Sequence, residues 1–438
     1  MKLTIENFAK ISYAEVRLDG VTVIGGENNT GKSTVGRVLY SIFRGTSNIE
    51  RRVREERINA IREVLASVTR RSVSDQDCLK VMEDPGLIRP LLVEKFKHEF
   101  GGRNLEVSVG HIDQTAEDFA NSFESRVRTA VENVLSMPST RVEWLILRRV
   151  FNCVFHGQYH PLKAEIPPAR IAIEVQRRTN EIRFHHDHAD LVSDIDLFAH
   201  AIMLTDPDVL DYVNVKGIES NPAFAELLDK NVYELVHKLV RNDSSESSIL
   251  EEHRKEFIVA ALTQLDEMIN GQLGVNAQGE LILSETGNAE PTKVQNLSMG
   301  MKSLLLLRTL LSKGILSEKD VLILDEPENH LHPEWQVYYA KALILIQKAY
   351  NLTMLVTSHS QFFVNALQRF VISDGLVQKA HFYLSKRDEE RPGYCTMVDK
   401  GAFSSDLFRS FNEAYDKISM MSGEVDQDNG VRTASRGD

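Results

Sequence analysis

An α/β head, split in sequence by a large and mainly helical inserted lobe, is the fold class that this 438-residue chain predicts. Three observations carry it. The apolar run Val21-Thr22-Val23-Ile24 leads into a glycine-bounded segment, Gly26-Glu27-Asn28-Asn29-Thr30-Gly31-Lys32-Ser33. Far downstream, Val321-Leu322-Ile323-Leu324 runs straight into Asp325-Glu326-Pro327. Short apolar runs that end in such loops read as buried strands. Between these two halves, residues 46–290 read mostly as helix.

Each segment has its own reason. Residues 1–45 read as two strands, a loop and a helix whose Val35, Val38, Leu39 and Ile42 fall on one face. In the inserted lobe, helical periodicity covers Ile58–Val68, Ala116–Leu135, Val142–Val154, Pro222–Val240 and Leu250–Leu273, with extended pieces at Arg170–Val175 and Glu181–His185. Heptads are not sustained, which argues for a compact lobe over a long coiled coil. Asn276-Ala277-Gln278-Gly279-Glu280 reads as a turn that returns the chain to the head. The head resumes over 291–415. After His359 come a helix (Gln361–Leu367) and strands at Phe370–Ser373, His381–Ser385 and Cys395–Val398, and 416–438 reads as a polar tail.

The loop residues point to phosphate chemistry. Glycines let successive backbone N–H groups turn inward, and the following helix offers its positive end to anionic oxygens. Gly26, Asn28, Asn29, Thr30, Gly31, Lys32, Ser33 and Thr34 are the nucleotide-contacting candidates. Lys32 would reach the β- and γ-phosphates, and the Ser33 hydroxyl would bind Mg²⁺ together with Asp325. Glu326, one residue on, is the candidate general base. Two further segments fit the same site. Leu297-Ser298-Met299-Gly300-Met301-Lys302 opens a helix with a hydroxyl and a bare glycine amide, and Thr357-Ser358-His359 ends another apolar strand with a histidine that could contact the γ-phosphate.

In this order and spacing the chain resembles the ABC-type ATPases, and within them the soluble branch that holds the SMC-like, RecF and OLD-family ATPases. Walker A (Gly26–Ser33), signature (Leu297–Lys302), Walker B (Val321–Glu326) and a switch histidine (His359) carry the resemblance, over roughly a third of the chain. The run Asp325-Glu326-Pro327-Glu328-Asn329-His330-Leu331-His332-Pro333 looks like OLD-type and related defence ATPases. Met299 and Met301 depart from the transporter signature, while Ser298 and Gly300 remain. The resemblance implies an ABC-type P-loop ATPase head with ATP and Mg²⁺ as cofactors. It also implies a homodimer, or a higher homo-oligomer, in which Ser298 and Gly300 of one chain face Lys32 and Glu326 of another. The glutamine that couples nucleotide to neighbouring domains is harder to place. Gln158, in Phe155-His156-Gly157-Gln158-Tyr159, is the candidate, and a solvated loop glutamine fits the same residues.

Composition bounds the rest. With 42% hydrophobic residues the chain can bury one large core or two lobes. No apolar stretch approaches bilayer length, the N-terminus reads as a strand rather than a signal peptide, and Cys78, Cys153 and Cys395 fit neither disulfide nor zinc spacing. A cytoplasmic protein without membrane contact is expected. A net charge of −12, from 51 Lys+Arg against 63 Asp+Glu, makes any nucleic-acid contact local. Arg51, Arg52, Arg54, Arg57, Arg62, Arg70 and Arg71 could supply one; diluted by Glu50, Glu55, Glu56 and Glu63, they equally describe an exposed helix with pairs such as Glu50–Arg54. The cluster His185-His186-Asp187-His188-Ala189-Asp190, with Asp194 and Asp196, could bind a divalent metal or form a polar loop.

The 79 residues after His359 (438 − 359) leave no room for the nuclease domain that OLD-family proteins carry. The resemblance therefore suggests an ATPase sensor or scaffold subunit of a bacterial antiphage system of the Septu or PARIS kind, controlling a separate nuclease or toxin effector. The alternative is a DNA-repair clamp of the RecF or SMC-like type.

Overall fold

The computed structural model describes residues 1–69, 72–101, 109–158, 167–184, 189–193, 197, 199–212, 249–277, 280–287 and 290–401. The chain forms two compact units. One comprises Met1–Ser47 and the chain from Val150 onward, and the other Asn48–Arg149. The first is an α/β unit built on one large mixed sheet.

Its strands are β1 (Lys2–Phe8), β2 (Ile11–Arg17), β3 (Val21–Gly26), β4 (Arg170–Val175), β5 (Arg178–Phe184), β6 (Ala189–Ser193), β7 (Ala201–Leu204), β8 (Gly271–Val275), β9 (Leu281–Glu285), β10 (Thr292–Lys293), β11 (Val321–Asp325), β12 (Thr353–Ser358), β13 (Ala380–Arg387) and β14 (Cys395–Asp399). Eleven of them make one sheet in the order β6-β5-β4-β1-β2-β14-β13-β3-β12-β11-β7, and β8, β9 and β10 make a smaller one.

The large sheet has two regimes. Strand β14 pairs antiparallel with β13 and parallel with β2, while strands β13, β3, β12, β11 and β7 run parallel to one another. Their sequences are correspondingly apolar on both faces: every residue of β3 is buried, as are the first four of β11 and the last five of β12. Strands β6, β5, β4, β1 and β2 are antiparallel, and β1 and β2 show the alternating burial of a half-covered sheet.

Helix α1 (Lys32–Thr46) follows β3, and Gly36 lets it approach the sheet: a Cβ there would lie 3.0 Å from Ile323 Cγ2. A continuous apolar core joins the sheet to the short α7 (Val209–Tyr212), α8 (Ile249–Ile269), α9 (Met299–Ser312), α10 (Pro333–Tyr350) and α11 (Gln361–Ser373). At the antiparallel end, Phe8, Phe155, Phe151 and Phe184 form an aromatic cluster, with centroids 5.0 Å apart for Phe8–Phe155 and 5.3 Å for Phe151–Phe184. Each such pair adds about 0.5–1.5 kcal/mol beyond area burial.

The second unit is helical: α2 (Ile49–Thr69), α3 (Asp75–Glu83), α4 (Ile88–Gly101), α5 (Val109–Ser136) and the first part of α6 (Ser139–Phe155). Ile61, Leu65, Leu92, Phe96, Ala120 and Val131 fill its core. Ser74 caps α3 by accepting the Asp77 N–H at 3.1 Å. Two arginines of α2 are matched by acids, Arg51 by Glu55 and Arg62 by Asp75, and Glu56 of the same helix pairs with Arg149.

Several expectations change. Three strands, not two, precede the loop, because β1 turns into β2 through Ala9 and Lys10 with Ala9 at φ 49° and no glycine to signal a hairpin. Phe370–Ser373 continues α11 as helix, with Val371 buried between more exposed neighbours and Gly375 at φ 72° just beyond its end. Helix α8 stops at Ile269, where Asn270 takes φ 47°, and Gly271–Val275 is strand. The stretch 46–290 was expected as one mainly helical lobe, yet residues 170–204 supply four strands to the head sheet. Ile171 stands opposite Ile5 there, and Arg170 bridges Glu6 at 2.9 Å and Glu181 at 2.8 Å across the strands. The expected helix Pro222–Val240, Arg70, Arg71, His185–His188, Asp194, Asp196 and the tail 416–438 lie outside the described residues. Among the described residues no helix is long and apolar enough to cross a membrane, and no group of His, Cys, Asp and Glu is placed to hold a metal ion.

Asp374, just past α11, accepts from Lys341 at 2.8 Å and Lys348 at 3.1 Å, tying the end of α11 to α10. Burial pushes its carboxyl up, and the two lysine hydrogen bonds more than reverse this, holding it below the ordinary 3.8. A depressed carboxyl stabilises the fold above its unfolded pKa and loses that contribution as pH falls through the folded value. Asp374→Asn should therefore cost about 1–2 kcal/mol at pH 7. The difference from the parent should vanish once the pH is well below 3.8, as read by urea denaturation at several pH values.

Candidate nucleotide site

Parallel pairing brings the distant motifs to one edge. Ser358 of β12 stands beside Gly25 of β3, and Thr357 beside Asp325 of β11. Leu204 of β7 stands beside Leu324. The C-terminal ends of neighbouring parallel strands form the usual ligand crevice of such sheets.

The loop after β3 is held by its own polar atoms. Gly26 (φ 147°) and Gly31 (φ 84°) adopt backbone conformations that favour glycine, and a Cβ on Gly26 would meet Ser385 O at 2.7 Å. Thr30 Oγ1 donates to Glu27 O at 2.7 Å, and Ser385 Oγ on β13 donates to Thr30 O at 2.6 Å. Asn29 accepts from Lys10 Nζ at 2.5 Å, while Glu27, Asn28 and Asn29 are exposed. Lys32 is buried: its Nζ donates to Gly26 O at 3.0 Å and Glu27 O at 2.7 Å and lies 3.5 Å from Glu326 Oε1. Ser33 and Thr34 follow in the first turn of α1, where the Thr34 N–H donates to Gly31 O at 3.1 Å.

Strand β11 delivers the acids. Asp325 Oδ1 accepts from Thr357 Oγ1 at 2.5 Å. Glu326 leaves the sheet at φ 50°, a strained conformation for a non-glycine residue, and its N–H donates to Thr357 O at 3.0 Å. Its Oε2 accepts from Asn329 Nδ2 at 3.1 Å and lies 3.3 Å from His359 Nδ1, without hydrogen-bond alignment to the latter. Lys32, Glu326 and His359 thus form a chain of near contacts. The oxygen donors offered by Ser33 and Asp325 suit a hard cation such as Mg²⁺.

Three residues that sequence reasoning gave no role, Glu328 and the Thr205-Asp206 pair, complete this edge. Glu328 is 2% exposed, and its Oε1 accepts from Ser358 Oγ at 2.6 Å and from the N–H groups of His359 and Ser360 at 3.2 and 3.3 Å. Burial pushes its carboxyl above the ordinary range against those bonds. Its signal in sequence was a third acid, three residues after Asp325. The others are the Thr205-Asp206 pair, placed next to Asp325 and Glu326 by the β7–β11 pairing. These four, with Met299, Leu306 and Tyr339, line a cavity of about 180 Å³. The short run Ala201–Leu204 before Thr205 could have been read as a strand end. Gln158 is not among the residues gathered here. It is exposed just after α6, whose Phe155 packs on β1, four places from β3 in the sheet.

The signature segment caps and packs its own helix. Ser298 is exposed and accepts the Met301 N–H at 3.3 Å as N-cap of α9. Gly300 is buried because a Cβ there would stand 2.6 Å from His330 O, in the loop that follows Glu326. Lys302 is buried between Asp208 (2.7 Å) and Asp211 (2.8 Å) of the segment after β7. Burial opposes its charge, and these two hydrogen bonds outweigh burial and raise its pKa.

Residues 151–365 match the family described as "AAA domain, putative AbiEii toxin, Type IV TA system", a stretch that contains the signature, Walker B and His359 but not the loop at 26–33. The chain is similar to the uncharacterized ABC transporter ATP-binding protein YfmR of Bacillus subtilis (strain 168), 33% identical over 118 residues. That match covers 26% of this chain and only 17% of the relative's length. Solved structures that align with it include an SmcHead bound to the C-winged helix domain of ScpA, at 12% identity and TM-score 0.41 over 91% of this chain and 97% of that one. Another is the SMC head domain from Thermotoga maritima, at 12% identity and TM-score 0.35 with the same coverage. Likeness at those scores says nothing of function.

Gly300→Val should displace the loop after Glu326, since its Cβ cannot share space with His330 O. The variant should lose about 2–3 kcal/mol of stability or become insoluble, whereas Met299→Gln, on the same turn, should stay within about 1 kcal/mol of the parent in the same denaturation assay.

Proposed function

We propose that this chain binds and hydrolyses ATP with Mg²⁺ and uses that cycle to control association with a separate effector. The observation that carries the proposal is the convergence, from three strands, of Lys32, Asp325, Glu326 and His359. Glu326 Oε1 lies 3.5 Å from Lys32 Nζ and its Oε2 lies 3.3 Å from His359 Nδ1. In this reading the loop N–H groups and Lys32 hold the phosphates, Ser33 and Asp325 hold Mg²⁺, and Glu326 orients or deprotonates the attacking water. His359 senses the γ-phosphate. Bound Mg²⁺ supplies charge neutralisation at the β- and γ-oxygens.

Ser298 is exposed at the positive end of α9, well placed for a phosphate on another copy of the chain. ATP would then favour a homodimer, because γ-phosphate contacts from two chains exist only in the closed state. The match to a family whose description names a toxin of a type IV system supports a toxin–antitoxin or antiphage setting. The clamp alternative asks for exposed basic surface, and the pairing of Arg51, Arg62 and Arg149 with acids leaves it less support.

The test is two substitutions in the full chain. Lys32→Ala should weaken ATP binding by at least about tenfold in calorimetry. Glu326→Gln should keep ATP bound but lower turnover by roughly 10²-fold or more, and should shift the chain to dimer with ATP in light scattering. Parent-like binding and turnover in both variants would overturn the site assignment. Co-purification of the Glu326→Gln chain with the product of its neighbouring gene tests the effector.

A further inference from the structure

We propose that Glu328 is a positioning residue, whose carboxylate ties down the chain where it leaves β12 and so holds His359 against Glu326. This rests on the ATPase reading and goes further into the same site.

Three donors on consecutive residues converge on one oxygen. Ser358 Oγ, the His359 N–H and the Ser360 N–H reach Glu328 Oε1 at 2.6, 3.2 and 3.3 Å. One acceptor shared by three successive residues fixes the direction in which the chain turns out of the strand. The turn is held again from outside, since Ser360 Oγ donates to Gln336 Oε1 at 2.7 Å and also caps α11 by accepting the Phe363 N–H at 3.3 Å.

The arrangement is a poor device for stability alone. Glu328 is 2% exposed, and its Oε2 has no hydrogen-bond partner among the described residues. A buried carboxylate with an idle oxygen is less favourable than an apolar side chain over a self-satisfied turn. What it secures is the imidazole: Nδ1 is buried, 3.3 Å from Glu326 Oε2 and 3.9 Å from Glu328 Oε1, while the ring as a whole is 39% exposed. The buried face of the ring therefore addresses the two carboxylates and the open face is left for a ligand. Releasing residues 358–360 would widen the Glu326–His359 spacing, and misplacement of about 1 Å can cost about 10² in rate.

The experiment compares Glu328→Ala, Glu328→Gln and Ser358→Ala in the full chain by steady-state ATP hydrolysis. It also reads the ¹⁵N shifts of the His359 ring in histidine-labelled protein, assigned with His359→Ala. Glu328→Ala should lower kcat by roughly 10–100-fold while KM changes by less than about 3-fold. Glu328→Gln, which keeps an acceptor for the three donors, should restore kcat to within about 5-fold of the parent. The His359 shifts should move in Glu328→Ala and stay in place in Glu328→Gln. Ser358→Ala removes one donor without touching the carboxylate and should lower kcat several-fold, so the proposal stays testable if Glu328→Ala fails to fold. Parent-like kcat in Glu328→Ala and Ser358→Ala, or unmoved His359 shifts, would overturn it. If the parent itself fails to hydrolyse ATP, the ATPase reading falls, and the His359 shifts still decide whether Glu328 sets that ring.

Discussion

The register of β3, β12 and β11 is the constraint on which the site depends. Parallel neighbours leave the sheet at a common edge, so pairing Gly25 with Ser358 and Asp325 with Thr357 brings the loop at 26–33 to residues about three hundred positions away in sequence. The pairing is strongly specified because these strands are buried on both faces. A slip would exchange each strand's side chains between two differently packed buried faces, and Thr357 would lose its bonds to Asp325 and Glu326. The backbone tension at Glu326 belongs to the same arrangement, as the chain must turn sharply off β11 to set its carboxylate between Lys32 and His359.

The polar network around this edge is layered. The loop at 26–33 is braced from β13 by Ser385, the acids of β11 are braced from β12 by Thr357, and the end of β12 is braced by Glu328. Each motif is thus held by a residue from another segment of the chain. The signature helix is tied in separately, through Gly300 against His330 and Lys302 against Asp208 and Asp211.

Much of the head was legible because its signals are local. An apolar run before a glycine-rich loop, or before paired acids, names a strand and its exit, and Arg170–Val175 was legible as an extended segment from its own composition. What sequence could not supply was pairing. Strands β4 to β7 lie in a stretch rich in helix, and nothing local says that Ile171 will face Ile5 or that Leu204 will face Leu324. The β1–β2 hairpin escaped because Ala9 takes a conformation that normally advertises glycine or asparagine. Glu328 escaped because its importance lies in where its oxygen points, toward three donors some thirty residues away. Gln158 was chosen for residue type, whereas position at the edge belongs to Thr205 and Asp206.

The close approach of Gly300 to the His330 carbonyl has a consequence for any assembly of these chains. The loop that follows Glu326 and the start of the helix capped by Ser298 abut with no side chain between them. They are in effect one lever with two working ends. Movement at one end, as bonds at the γ-phosphate form or break, would be felt at the other without a relay of intermediate residues. In the proposed dimer, two such chains would not fire independently: each turnover would reset its neighbour's grip, and the pair would behave as a single clock rather than two.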